Sequence, residues 1–166
     1  MRNKRIALAV SAGIAAYKAI ELLRMMMKQG SDVRVCMSAN ALEFVTPLTF
    51  ETLSGNPVYY MLFNSENSAD MEHIRIAEQI DLLLVAPATA STLGKIANGL
   101  ADDALSSLYL AFKGPVIVAP AMNSDMWQNL AVQENIEKLK ARGVKFIDPE
   151  EGILACGTSG RGRLAN

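Results

Sequence analysis

The segment PAMNSDMW, Pro120 to Trp127, puts two thioethers, a carboxamide and the chain's single tryptophan between an apolar run, VIVA, and a long polar stretch with helical pattern. A buried strand that hands over to a helix is a usual ligand position in α/β proteins. SAGIAAYK, after the first apolar run, offers a glycine turn and backbone N–H groups at a helix start. That is a seat for phosphate, or equally a structural turn. APATASTLGKIANG, after DLLLVA, gathers Thr89, Ser91 and Thr92 at a helix entry. Capping explains one hydroxyl, and three suit a polar ligand better. His73 is the only histidine, and a lone histidine on a short helix is more often a surface or core residue than a catalyst. Cys36, between Val35 and Met37, reads as a small buried hydrophobe. Cys156 stands among Gly152, Gly157, Gly160 and Gly162, where no core needs a thiol. Loops of that kind cover ligands when they order.

Short β-branched runs alternate with helical patterns, which predicts a parallel sheet covered on both faces. Strands are expected at Arg5–Ser11, Asp32–Ser38, Asp81–Ala86, Pro115–Ala119 and Val144–Asp148, with a further one at PVYYML. The first helix should run through IAAYKAIELLRMMMKQG and stop at Gly30. Its RMMMK stripe is expected in the core or at a subunit contact. A short helix and a break near Pro47 follow the second strand. The fold class is a doubly wound α/β domain, a Rossmann-like or flavodoxin-like three-layer sandwich, with ligands outside the carboxyl ends of the strands.

The chain has 166 residues, 51% hydrophobic and 20% charged, which suits a single domain over 1–166, with 151–166 as a flap and tail. A formal net charge of -1 gives no basic field for nucleic acid or anionic membrane, so small molecules or further copies of the chain are the expected partners. No apolar run approaches the ~20 residues of a membrane span. The basic, apolar start runs into a glycine turn and an amphipathic helix with no secretory cleavage pattern. The two cysteines are far apart and fit no metal spacing. No metal is expected, and a reducing cytoplasm fits best.

Taken together, GIAAYK, the HI at His73, PATAST, PAMNSDMW and GILACGTSGRGR resemble the homo-oligomeric flavin-containing cysteine decarboxylases, in family order and over nearly the whole chain. PATAST is similar to that family's PASANT element and PAMNSDMW to its P-x-M-N-x-x-M-W signature. The resemblance implies FMN as cofactor and, in the coenzyme A branch, decarboxylation of 4'-phosphopantothenoylcysteine to 4'-phosphopantetheine. An unactivated cysteine carboxylate has no electron sink. Oxidation of the CH2–SH carbon to a thioaldehyde provides one, CO2 is lost to an enethiolate, and re-reduction leaves the net reaction redox-neutral.

By the same resemblance, Asn123 offers its amide N–H to the substrate carboxylate, helped by the first free amides of the following helix. A neutral donor suits a charge that vanishes as CO2 forms. Met126 lines the site and Trp127 packs behind it. His73 is the base of the oxidation step, and Cys156 the proton donor of the final reduction. Gly13, Ser38, Thr89 and Ser106 match FMN-holding positions. Departures occur at Ala12, where relatives commonly have glycine or serine, at Ser91, in place of asparagine, and at Asp103, where asparagine is frequent. Arg161 and Arg163 are candidates for the substrate phosphate, against solvated flap charges.

The implied assembly is a homotrimer, alone or built into a dodecamer, with the flavin at a subunit interface. Bifunctional bacterial relatives continue into a ligase domain, so the chain is either a single-function protein or a piece cut at that boundary. Two rival readings are a peptidyl-cysteine decarboxylase of lantibiotic-type biosynthesis and a non-catalytic flavin-binding regulatory subunit. Cys156 argues against the first; His73, Asn123 and Cys156 together argue against the second.

Overall fold

A computed structural model describes residues 3–62, 71–153, 155, 157 and 159–165. Five strands, β1 (Arg5–Val10), β2 (Asp32–Met37), β3 (Leu82–Ala88), β4 (Val116–Pro120) and β5 (Lys145–Phe146), form one parallel sheet in the order β2-β1-β3-β4-β5. The chain runs outward from β1 to β2, then crosses back to β3 on the other side. The crevice between β1 and β3 is therefore the switch point of the sheet, where α/β folds bind ligands.

Alternate residues of a strand face opposite ways, and the two cores follow that period. Ile6, Leu8 and Val10 of β1 pack with Leu23 and Met26 of α1 (Ala16–Lys28) and Phe50 of α2 (Pro47–Ser54). Ala7 and Ala9 face the other layer, made by α3 (Glu72–Gln79), α4 (Ala90–Asn98), α5 (Ala104–Ala111), α6 (Ser124–Gln128) and α7 (Leu130–Ala141). Leu93, Ile96, Leu105, Leu108 and Leu139 fill that side, each at most 1% exposed. At roughly 1.5–3 kcal/mol for each fully buried aliphatic side chain, these two layers hold the sheet rigid beneath its loops.

α1 shows how the pattern makes an element. Ala16, Ala19, Leu23 and Met26 recur at helical spacing and are buried, and the helix ends where Gly30 takes a left-handed φ of 82°. Of the methionine stripe, Met26 enters the core, whereas Met25 is 57% exposed. PVYYML forms no strand: Tyr59 makes one isolated parallel bridge to Cys36 at the edge of β2. A single bridge fits the Asn56–Pro57 start of that stretch, since proline has no N–H for a ladder. Cys36 is buried, and burial, with the Asp103 charge second, pushes its thiol well up, so it packs and does not react. The glycine-rich tail is structured as an antiparallel hairpin of β6 (Glu150–Ile153) and β7 (Ser159–Arg163).

Candidate active site

The loops that leave β1, β3 and β4 at their carboxyl ends enclose a cleft of about 750 Å³, closed on one side by the β6–β7 hairpin. That volume lies in the range of small-molecule and cofactor sites. Gly13, Thr89, Asn123 and Met126, four positions singled out from the sequence, all line it. They come from three separate strand-to-helix junctions, which only the switch-point topology brings together.

Each junction is fixed by its own hydrogen bonds. Ser11 ends β1 completely buried, and its hydroxyl donates to the Pro87 carbonyl at 2.7 Å and accepts the Thr89 N–H at 2.9 Å. This hydroxyl locks the turn after β3 to the end of β1. Sequence reasoning passed over it; its signal was a polar residue closing an apolar strand immediately before a glycine turn. Thr89 caps α4, accepting the Thr92 N–H at 3.2 Å and donating to the Thr92 hydroxyl at 3.1 Å.

Asn123 caps α6. Its Oδ1 accepts the Asp125 N–H at 2.8 Å and the Met126 N–H at 3.4 Å. These amides are thus not the free donors expected from the sequence; the capping carboxamide takes them. The same bonds turn the NH2 end of Asn123 away from the helix axis, so that end is its donor group. Trp127, 9% exposed, packs in the core beneath.

Other predicted positions lie elsewhere. Ser106 is 1% exposed and belongs to a capping box at the start of α5, where its hydroxyl donates to Asp103 Oδ1 at 2.8 Å and its N–H to the same oxygen at 2.8 Å. It is not among the cleft residues. Asp103 also meets Lys95 Nζ at 2.7 Å. Burial pushes the Asp103 carboxyl up, but Lys95 and the Ser106 amide and hydroxyl outweigh it and hold the group below the usual carboxylate range. The acidic departure at 103 thus has a structural role. Ser38 closes β2 at the same sheet edge, its N–H bonded to the Val10 carbonyl at 3.0 Å, and its Oγ is buried with no partner among the described residues. His73, half-buried in the first turn of α3, is also absent from the lining. Cys156 lies outside the described residues, although its neighbour Ala155 lines the cleft.

The hairpin is held against the Asn123 junction by backbone contact. The Met122 N–H donates to the Gly162 carbonyl at 2.9 Å, and a Cβ at Gly162 would stand 2.1 Å from the Met122 oxygen. A Cβ at Gly160 would stand 2.8 Å from that of Ser124. Gly162→Ala is therefore expected to lift the hairpin at an overpacking cost of about 1–3 kcal/mol. Limited trypsin digestion should cut the variant after Arg161 or Arg163 several times faster than the native chain. Equal rates would show that the hairpin does not depend on this contact.

A doubly wound α/β domain with a ligand cleft at its switch point, ringed by backbone turns, hydroxyls and a capping carboxamide, is the class that fold and site define. The chain belongs to the flavoprotein family, whose pattern it matches over residues 1–166. It is 47% identical over 164 residues to the coenzyme A biosynthesis bifunctional protein CoaBC of Bacillus subtilis, a match that takes 99% of this chain and 40% of that protein. The chain thus spans about two fifths of the length of the curated relatives it matches. Among solved structures it resembles a cysteine-to-serine mutant of PPC decarboxylase complexed with pantothenoylaminoethenethiol, with TM-score 0.88 and 32% identity over 99% of this chain and 92% of the other. It also resembles the peptidyl-cysteine decarboxylase EpiD, with TM-score 0.85 and 26% identity over 100% and 94% of the two chains. Among the described residues no helix is long and apolar enough to cross a membrane.

Proposed function

We propose that this chain is an FMN-dependent phosphopantothenoylcysteine decarboxylase of coenzyme A biosynthesis. The observation that carries the reading is the convergence of Gly13, Thr89, Asn123 and Met126 on one cleft. The likeness to CoaBC and to PPC decarboxylase supports it.

The residues present fit FMN. The 13-residue helix α1 starts at the cleft with no side-chain cap and no acidic residue in its first turn, so its dipole and amides favour a phosphate there. The unpartnered Ser38 Oγ at the same sheet edge is a polar atom that a ligand would satisfy. Gly13, the α1 start, Ser38 and Thr89 would hold the cofactor. When bound, FMN supplies the two-electron acceptor that makes the substrate CH2–SH carbon a thioaldehyde and later returns those electrons.

The remaining work belongs to the chain. Asn123, clamped through Oδ1, directs its NH2 to the substrate carboxylate, orienting it without a fixed countercharge that would hold the ground state. Met126 supplies apolar wall beside it. His73 takes a proton in the oxidation step, and Cys156 delivers one to the enethiolate carbon. Exposed Ile14 (61%) and Tyr17 (57%) at the rim of the cleft are apolar surface that a neighbouring copy would cover, which supports a trimer with the cofactor at the interface. The proposal includes a cytoplasmic setting and, as in bifunctional relatives, an accompanying ligase domain.

The test is turnover. The purified protein should be yellow, bind FMN noncovalently, and convert 4'-phosphopantothenoylcysteine to CO2 and 4'-phosphopantetheine. Cys156→Ser should still release CO2 but accumulate the enethiol, because a serine hydroxyl is a far poorer proton donor than a thiol. A chain that binds no FMN would overturn the function. A Cys156→Ser variant that completes the cycle at the native rate would instead favour a peptidyl-cysteine substrate.

A further inference from the structure

Lys18 and Arg163 are the cations among the residues lining the cleft, and neither aspartate nor glutamate lines it. The two come from opposite walls, α1 and the end of β7. They are drawn to one place, since Lys18 Nζ donates to the carbonyl of Leu164, the residue after Arg163, at 3.2 Å. Two cations converging on an acid-free wall repel each other unless an anion joins them.

The two flap arginines are not equivalent. Arg161 is occupied with Asp148 Oδ2 at 3.1 Å and the Pro149 carbonyl at 3.2 Å, and it does not line the cleft. Arg163 lies across Gly152 of the paired strand: a Cβ there would stand 3.3 Å from its Nη1 and 3.4 Å from its Cδ. The glycine at 152 thus leaves the space in which the guanidinium is seated. One residue earlier, the Gly162 carbonyl receives the Met122 N–H, next to Asn123. Arg163 and Asn123 are therefore held in fixed relation by a single backbone contact.

Resting on the decarboxylase reading above, we propose that Arg163, with Lys18 beside it, binds the phosphate end of the substrate, and that Arg163 sets the preference for phosphorylated over unphosphorylated pantothenoylcysteine. A carboxamide at one station suits the neutral-going carboxylate. A guanidinium fork at the other suits a phosphate that keeps its charge throughout.

The experiment compares kcat/KM for 4'-phosphopantothenoylcysteine and for pantothenoylcysteine in the FMN-loaded native protein, Arg163→Gln and Arg163→Lys, with FMN affinity measured by fluorescence titration. The ratio of the two substrates cancels any general damage from the substitution. It should fall by about ten- to hundredfold in Arg163→Gln, the usual worth of one charge-assisted hydrogen bond, and by less in Arg163→Lys. FMN affinity should stay within about twofold, because the uncapped α1 terminus holds the cofactor phosphate. A native ratio preserved in Arg163→Gln overturns the assignment while the decarboxylase function stands. Loss of FMN affinity in that variant, with the ratio intact, transfers the arginine to the cofactor phosphate and also overturns it. A native protein that binds FMN and turns over neither substrate removes the function, and the inference with it.

Discussion

Asn123→Asp is expected to lower turnover of 4'-phosphopantothenoylcysteine by about a thousandfold while leaving the fold and FMN binding intact. Aspartate caps a helix as well as asparagine does, so the bonds that Oδ1 makes to the Asp125 and Met126 amides survive. A carboxylate near the positive end of α6 is, if anything, favoured there. What changes is the other end of the side chain: an NH2 donor facing the substrate carboxylate becomes a negative oxygen. Two like charges about 4 Å apart at an effective dielectric constant near 20 repel by about 4 kcal/mol, or close to three orders of magnitude in rate. Thermal denaturation should place the variant within a few degrees of the native protein, and fluorescence titration should give the same FMN affinity. Native turnover in Asn123→Asp would place the residue outside the substrate site.

His73→Asn should be the next most damaging substitution, reducing the oxidation half-reaction by about 10²–10⁴-fold, the usual contribution of a positioned base. The side chain is half-buried on the first turn of α3, and the buried anchor of that helix is Ile76, so loss of the imidazole leaves the packing in place. Because α3 leads into β3 from the opposite direction, its first turn lies toward the carboxyl edge of the sheet, the edge on which the cleft opens. Anaerobic mixing with substrate should bleach the flavin band in the native protein and leave the variant yellow. Bleaching of the variant at the native rate would assign the proton transfer to another group.

Much of the molecule follows from local rules that leave a mark in the sequence. The unbroken apolar runs of β1, β3 and β4 belong to strands covered on both faces, and the spacing of Ala16, Ala19, Leu23 and Met26 announces α1. The motifs around Gly13, Thr89 and Asn123 were legible because each is a contiguous strand-to-helix turn. PVYYML was misread for the opposite reason: its apolar character is met by packing at the edge of β2 with a single bridge, and composition does not distinguish that from a ladder.

The tertiary structure decided what depends on distant partners. Ser106 and Thr89 are both hydroxyl residues near a helix start. Thr89 opens on the cleft, whereas Ser106 is closed into a capping box with Asp103, because their helices enter the fold at different places. Ser11 becomes a brace only when β1 and β3 are neighbours, and their sequence separation of 76 residues hides it. Likewise Arg161 and Arg163 look alike in GRGR, and it is the contacts across the hairpin, with Asp148 for one and Gly152 for the other, that separate a surface ion pair from a residue at the cleft. A sequence by itself determines periodicity, turn chemistry and which groups can react. Which of those groups meet is a matter of crossover and register, set by the burial of two apolar faces at once.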